Sequence, residues 1–265
     1  YVANWFSDTL SVIEADTQTE TPDGTATVSF TVEMGDLAEA RKVCDKLARE
    51  MAGMPGLRLE GIMGYEGHAV MIPEWDKRRE TAEKAMSQLI ETKQILEQEG
   101  ILVPIVSGGG TGTYNMTGAY PGVTEIQAGS YATMDAKYQG IVPEFATALT
   151  VVAQVISVRG DRAIIDAGMK TLTPEFGMPE IRHPAGWTIS HLSEEHGALV
   201  RNEGESLEAG DRVEIVPSHG CTTINLHDVY HVVRNGRVEA IWPIAGRGKK
   251  KKKKKESRPL TVGGW

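Results

Sequence analysis

Apolar residues recur along this chain in two rhythms, and the rhythm changes near Phe145. In the first part, the short runs Thr27–Val32, Leu57–Met63, Leu102–Val106 and Thr124–Gln127 predict strands. Leu37, Ala40, Val43, Cys44, Leu47 and Met51 fall at helical spacing between the first two, with Asp36 as N-cap and Gly53 and Pro55-Gly56 as the stop. A longer helix is predicted from Pro73 to Gln98, its buried stripe formed by Trp75, Ala82, Met86, Leu89 and Leu96. Pro73 suits a first turn, and Gly100 suits the position just past a helix end. Strands that alternate with helices pair in parallel, with the helices outside. The expectation is a doubly wound sheet or part of an eight-stranded barrel.

After Phe145 the runs shorten and lose the helical period. Leu149–Val158, Arg162–Asp166, Arg212–Val216, Tyr230–Val233 and Val238–Trp242 predict strands, and Arg159-Gly160-Asp161 and Asn235-Gly236 predict hairpin turns. The expected organisation is therefore 1–26 unassigned, then 27–144 as a partial α/β barrel of the (β/α)8 type. An antiparallel β domain over 145–248 and a lysine-rich tail without fixed structure over 249–265 follow.

Charge and cysteine content exclude several classes of function. The 265 residues carry a formal charge of −8, which includes the run Lys249–Lys255. Setting those seven positive charges aside leaves −15 for the rest, so the body is acidic and no nucleic-acid partner is expected. The lysine run has no aromatic or amphipathic interleaving and reads as a solvated tail rather than a nucleic-acid or membrane-surface patch. No stretch approaches the roughly 20 apolar residues of a membrane span. Two cysteines, Cys44 on a helical face and Cys221 in a strand-like segment, make no disulfide framework, and a cytoplasmic location is expected. The start at Tyr1-Val2-Ala3 has neither an initiator Met nor a signal pattern and reads as a cut.

Three segments carry chemistry. Ser107-Gly108-Gly109-Gly110-Thr111-Gly112-Thr113 follows an apolar strand, and glycines let consecutive N–H groups converge on an anion while hydroxyls add hydrogen bonds. It is neither a P-loop nor a dinucleotide fingerprint, and a plain surface turn is the alternative. Gln127-Ala128-Gly129-Ser130-Tyr131 repeats the pattern after the next strand, so that the two turns resemble the jaws of one phosphate cup. In Pro217-Ser218-His219-Gly220-Cys221, an extended backbone would send His219 and Cys221 to one face, a ligand pair suited to zinc. An open position, completed by water, substrate or a residue such as His196, is what metal catalysis needs; a packed Cys beside a surface His is the alternative. Further candidates are Tyr65, Glu66 and His68 at a strand end, Asp166 to Lys170 after another strand, and Ser193 to Gly197. Cys44 is expected in the core.

Taken in order, Gly64-Tyr65-Glu66-Gly67-His68, Val106 to Tyr114, Thr124 to Asp135, Asp166 to Lys170, Ser193 to Gly197, Pro217 to Asp228 and Trp242 to Gly248 resemble the D-threonine aldolase / D-serine dehydratase family. This is the metal-activated branch of the alanine-racemase-type pyridoxal enzymes. The resemblance covers roughly 55–248 and implies a pyridoxal-phosphate barrel followed by a metal-bearing β domain. It implies Tyr65 near the cofactor ring, Ser107, Gly110, Thr111, Gly129, Ser130 and Tyr131 as cofactor residues, and His219 and Cys221 as ligands of zinc or manganese. His68 and His196 are the candidates for proton transfer. A small D-3-hydroxy-amino acid is the implied substrate and a homodimer the implied parent assembly.

The family's Schiff-base lysine lies in a Pro-His-x-Lys-Thr-His-like segment, which this sequence does not contain, so the chain as given is expected to be inactive. The leading expectation is a truncated aldolase, with a D-serine dehydratase as the alternative. A racemase of the same fold, without metal at His219 and Cys221, and a non-catalytic pyridoxal-phosphate or zinc-binding protein also remain open. A zinc hydrolase would leave the glycine-rich turn without purpose.

Overall fold

In the computed structural model, the backbone is described for Ser11–Glu20 and Ala26–Glu33, for Lys42, Lys46 and 48–50, and continuously for 59–248. Two compact units divide the chain between Thr150 and Val151.

In the first unit, β1 (Ser11–Glu20) and β2 (Ala26–Glu33) form an antiparallel hairpin. This corrects the expectation for Thr27–Val32, which pairs with its neighbour in sequence rather than joining the parallel sheet. A hairpin closes over a few residues, whereas a parallel crossover must close a long loop. Lys42, Lys46 and 48–50 are helical, in keeping with the helix predicted from Asp36; Cys44 and the other apolar positions of that helix lie outside the described residues.

The parallel sheet runs β3 (Gly61–Gly64), β4 (Ile105–Gly108), β5 (Glu125–Ile126), in that order. Ile62 pairs with Val106, and Ser107 with Glu125, both in parallel. Three of the four predicted barrel strands are thus parallel neighbours among the described residues. The connection from β3 to β4 is α1 (Trp75–Gln98). Its stripe holds at Ala82, Met86 and Leu96, each with no exposed surface, but Trp75 is 48% exposed. Arg78 is buried in its stead because its guanidinium can donate to the carbonyls of Ile72, Pro73 and Ile141, at 2.6, 3.3 and 3.4 Å. Gly100, with φ of +83°, follows the helix as predicted. Ala48, Leu96, Val103 and Val106 form one buried cluster against Leu59, Ile62 and Leu89.

The second unit is a six-stranded antiparallel sheet. Its strands are β6 (Val151–Arg159), β7 (Arg162–Ile165), β8 (Glu180–His183), β9 (Trp187–Leu192), β10 (Gly197–Arg201) and β11 (Arg212–Val216). The order is β8-β11-β6-β7-β10-β9. The two outer strands, β8 and β9, are consecutive in sequence and only three residues separate them, so the sheet curls nearly closed. Inward positions alternate, as at Val151, Ala153 and Val155 of β6, and with Ile165, Leu199, Val213 and Ile215 they form one core. Strands β8 to β10 escaped the sequence reading: in Glu180–His183 and Gly197–Arg201 too few apolar positions alternate to stand out. The last two predicted strands, β12 (Val229–Arg234) and β13 (Arg237–Pro243), pair as a separate hairpin. Its Asn235-Gly236 turn has φ of 50° and 73° at the two residues.

Candidate functional site

The two glycine-rich turns meet. In the first unit, the N–H of Tyr131 donates to Thr111 Oγ1 at 3.0 Å, joining the turn after β4 to the turn after β5. The parallel register puts the ends of β4 and β5 side by side, so two turns 20 residues apart become neighbours. Gly109, Gly110, Thr111 and Gly112 are buried, while Gly129 and Tyr131 are exposed; the first turn is the floor and the second the rim.

Several glycines are dictated by space or backbone. Gly109 has φ of +76°, a conformation costly for other residues. A Cβ on Gly112 would meet Val70 O at 1.8 Å, so no side chain fits there. A Cβ on Gly110 would lie 3.2 Å from Tyr65 Oη and 2.8 Å from Val70 Cγ1, which puts the Tyr65 phenol beside the turn.

The turn's N–H groups do not all face a ligand, as the convergence argument expected. Gly109 N–H donates to Glu66 Oε2 at 2.9 Å, and Gly110 N–H to Thr113 Oγ1 at 3.1 Å. Among the described residues, the N–H groups of Thr111 and Gly112, and the N–H and hydroxyl of Ser130, have no hydrogen-bond partner. Thr111 is 2% exposed, and a buried N–H left unpaired is costly, so these donors suit an anion. Ser107 is turned elsewhere: its hydroxyl donates to Glu125 Oε1 at 2.8 Å and accepts from Gln127 Nε2 at 2.9 Å. A pyridoxal-phosphate phosphoryl group therefore fits the floor and rim. His68, after Tyr65, is exposed. A cavity of about 610 Å³ lies elsewhere in this unit, between Trp75, Arg79 and Ile90 of α1 and Met116, Tyr120 and Pro121, and no predicted site residue lines it.

In the second unit, Ser218-His219 leaves β11 and enters a short helix, Gly220–Ile224. This corrects the premise that His219 and Cys221 share an extended strand: His219 is the extended N-cap, and Cys221 is in the first helical turn and exposed. The His219 ring packs on Phe176 at 4.4 Å between centroids. Ser218 Oγ donates to Thr173 O at 2.7 Å, and Thr173 Oγ1 lies 2.7 Å from Thr222 Oγ1, fixing the entry to that helix. Tyr230 titrates above its ordinary range through burial and, secondarily, the nearby Cys221. Among the described residues no three of His, Cys, Asp and Glu gather as a metal-binding group, so His196, exposed in the β9–β10 turn, does not complete one. The donor chemistry of the His219–Cys221 pair fits part of a zinc shell. Asp166 and Lys170 hold structure: Asp166 Oδ1 accepts the Gln154 N–H at 2.7 Å, and Lys170 pairs with Glu195.

An α/β unit whose two glycine-hydroxyl turns meet is followed in sequence by an antiparallel β unit with a His-x-Cys segment. Residues 148–233 match the model of a serine dehydratase domain family. The chain is 34% identical to 3-hydroxy-D-aspartate aldolase of Paracoccus denitrificans over 214 residues, covering 77% of this chain and 55% of that protein. It is 36% identical to D-threonine aldolase of Arthrobacter sp. over 208 residues, covering 76% of this chain and 55% of that protein. The crystal structure of D-threonine aldolase from Filomicrobium marinum superposes with a TM-score of 0.73 at 35% identity, covering 77% of this chain and 57% of that one. The chain belongs to the D-threonine aldolase / D-serine dehydratase family, whose named relatives here are lyases. It spans about half the length of the curated relatives it matches.

Proposed function

We propose that the protein is a pyridoxal-phosphate- and divalent-metal-dependent lyase that cleaves D-3-hydroxy-amino acids to glycine and an aldehyde. The observation that carries this reading is the bond from Tyr131 N–H to Thr111 Oγ1, which sets the unpaired donors of Thr111, Gly112 and Ser130 in one cup. Those donors hold the phosphate, and Tyr65 lines the ring position. Pyridoxal phosphate, when bound, supplies an electron sink for charge at the substrate α-carbon. His219 and Cys221 hold zinc or manganese, a Lewis acid for the 3-hydroxyl. His68 and His196, both exposed, are the groups available to carry protons. The parallel strands β3, β4 and β5 are part of a (β/α)8 barrel, and the protein acts as a cytoplasmic homodimer.

Loss of the proton from the 3-hydroxyl leads to carbon–carbon cleavage; loss of the hydroxyl as water makes a dehydratase. The dehydratase is the second reading, and the serine dehydratase domain matched over 148–233 is what favours it. This chain itself has no Pro-His-x-Lys-Thr-His-like segment, and turnover by it alone is expected to be absent. Titration with pyridoxine 5′-phosphate, which has no aldehyde to react with lysines, together with metal analysis, tests the reading. Saturable binding of the ester but not of pyridoxine, with near-stoichiometric zinc, is expected. Binding without metal would favour a racemase, and neither would overturn the assignment.

A further inference from the structure

The glycine turn is organised by Glu66, which the sequence marks only as a strand-end candidate without a role. Glu66, in the loop after β3, is 1% exposed, and both its oxygens are engaged. Oε2 accepts the Gly109 N–H at 2.9 Å; Oε1 accepts the hydroxyl of Thr113 at 2.6 Å and that of Thr117 at 2.5 Å. Thr113 Oγ1 in turn accepts the Gly110 N–H at 3.1 Å. Two consecutive N–H groups of the turn are thus bound, directly or through one hydroxyl, by a single carboxyl group. Thr113 is the N-cap and Thr117 the last residue of α2 (Tyr114–Thr117), so the same group also ties the helix to the turn. With Gly109 and Gly110 turned inward on Glu66, the donors left over are those of Thr111 and Gly112.

We propose that Glu66 is a positioning residue for phosphate: it aims the Thr111 and Gly112 N–H groups into the cup by fixing the two glycines before them. The proposal rests on the reading of this cup as the phosphate site. Burying a carboxyl group is costly, and three donors from one short segment offset that cost only in this loop conformation. A side chain that accepted fewer of these bonds would free Gly109 and Gly110 to turn outward and would blur the direction of the next two donors.

The test is fluorescence titration of the intact chain with pyridoxine 5′-phosphate and with pyridoxine, at about 0.15 M salt so that exposed lysines are screened. Glu66→Gln keeps the volume but presents an N–H₂ to donors. It is expected to lose at least about tenfold in affinity for the phosphate ester, the scale of one or more lost hydrogen bonds to a charged group. Because Glu66→Gln can also weaken folding, Thr113→Val and Thr113→Ser are compared. The valine variant is expected to repeat the loss and the serine variant to restore binding, with circular dichroism unchanged in both. Wild-type affinity for the ester in Glu66→Gln, or equal loss in the valine and serine variants, would overturn the positioning role. A wild-type chain that does not distinguish the ester from pyridoxine would instead overturn the phosphate reading itself.

Discussion

The Tyr131 N–H donates to Thr111 Oγ1 at 3.0 Å, one of the bonds that join two turns at the ends of adjacent parallel strands. The hydroxyl of Thr111 accepts from the partner turn, and its own N–H has no hydrogen-bond partner among the described residues. A threonine methyl packs in the buried floor while the oxygen spans the gap.

Thr111→Val keeps the shape and removes the acceptor. Affinity for pyridoxine 5′-phosphate is expected to fall roughly tenfold, because the Tyr131 N–H loses its partner and the Tyr131 end of the rim is released. Thr111→Ser should retain most of it. Equal affinity in wild type and the valine variant, by titration, would show that the turns need no link.

Cys221→Ala and His219→Ala/Cys221→Ala should each strip bound zinc in metal analysis, while pyridoxine 5′-phosphate binding is unchanged. The two sets of residues belong to different units of the chain. Near-stoichiometric zinc in the double variant would refute the ligand assignment.

Met86 has no exposed surface and Trp75 is 48% exposed on the same helix. Met86→Ala is expected to cost about 2–5 kcal/mol in urea unfolding, the range for a fully buried side chain, and Trp75→Ala under about 1 kcal/mol. Comparable losses would mean that Trp75 is covered in solution.

The guanidinium of Arg49 grips Glu99 with two bonds, at 2.6 and 2.7 Å, and holds its carboxyl below the usual range by hydrogen bonding, with desolvation opposing. A carboxyl lowered in the folded state contributes stability above the ordinary value of 4.5, and that contribution disappears as pH falls through the folded value. Both side chains are largely exposed, so the effect is small and salt-sensitive. Nuclear magnetic resonance titration of Glu99 should show the depression, and Arg49→Gln should return it to the ordinary range.

Much of the first unit was legible because its elements are long or sharply bounded. Ala82, Met86 and Leu96 are one face at helical spacing, and Gly100 stops it. Trp75 misled because its ring belongs to an apolar stripe only by spacing, whereas Arg78 could satisfy its charge on carbonyls that no local pattern reveals. The strands β8 and β10 were missed because their inward positions are too few and too mixed with polar ones to mark a period.

The sequence by itself determined that two glycine-hydroxyl turns follow two strands, and that His219 and Cys221 stand two apart; both follow from residue type and spacing. The tertiary structure alone decided which donors in the first turn are free. Glu66, 43 residues upstream of Gly109, takes that glycine's N–H, and Thr113 takes the next. It also decided that Cys221 sits on a helix rather than a strand, because Ser218 bonds to Thr173, 45 residues away, and turns the chain as β11 ends. Local pattern carries periodicity and chain reversal, which depend on neighbours in sequence. Which buried donor meets which acceptor depends on segments far apart in sequence, and only packing brings them within bonding distance.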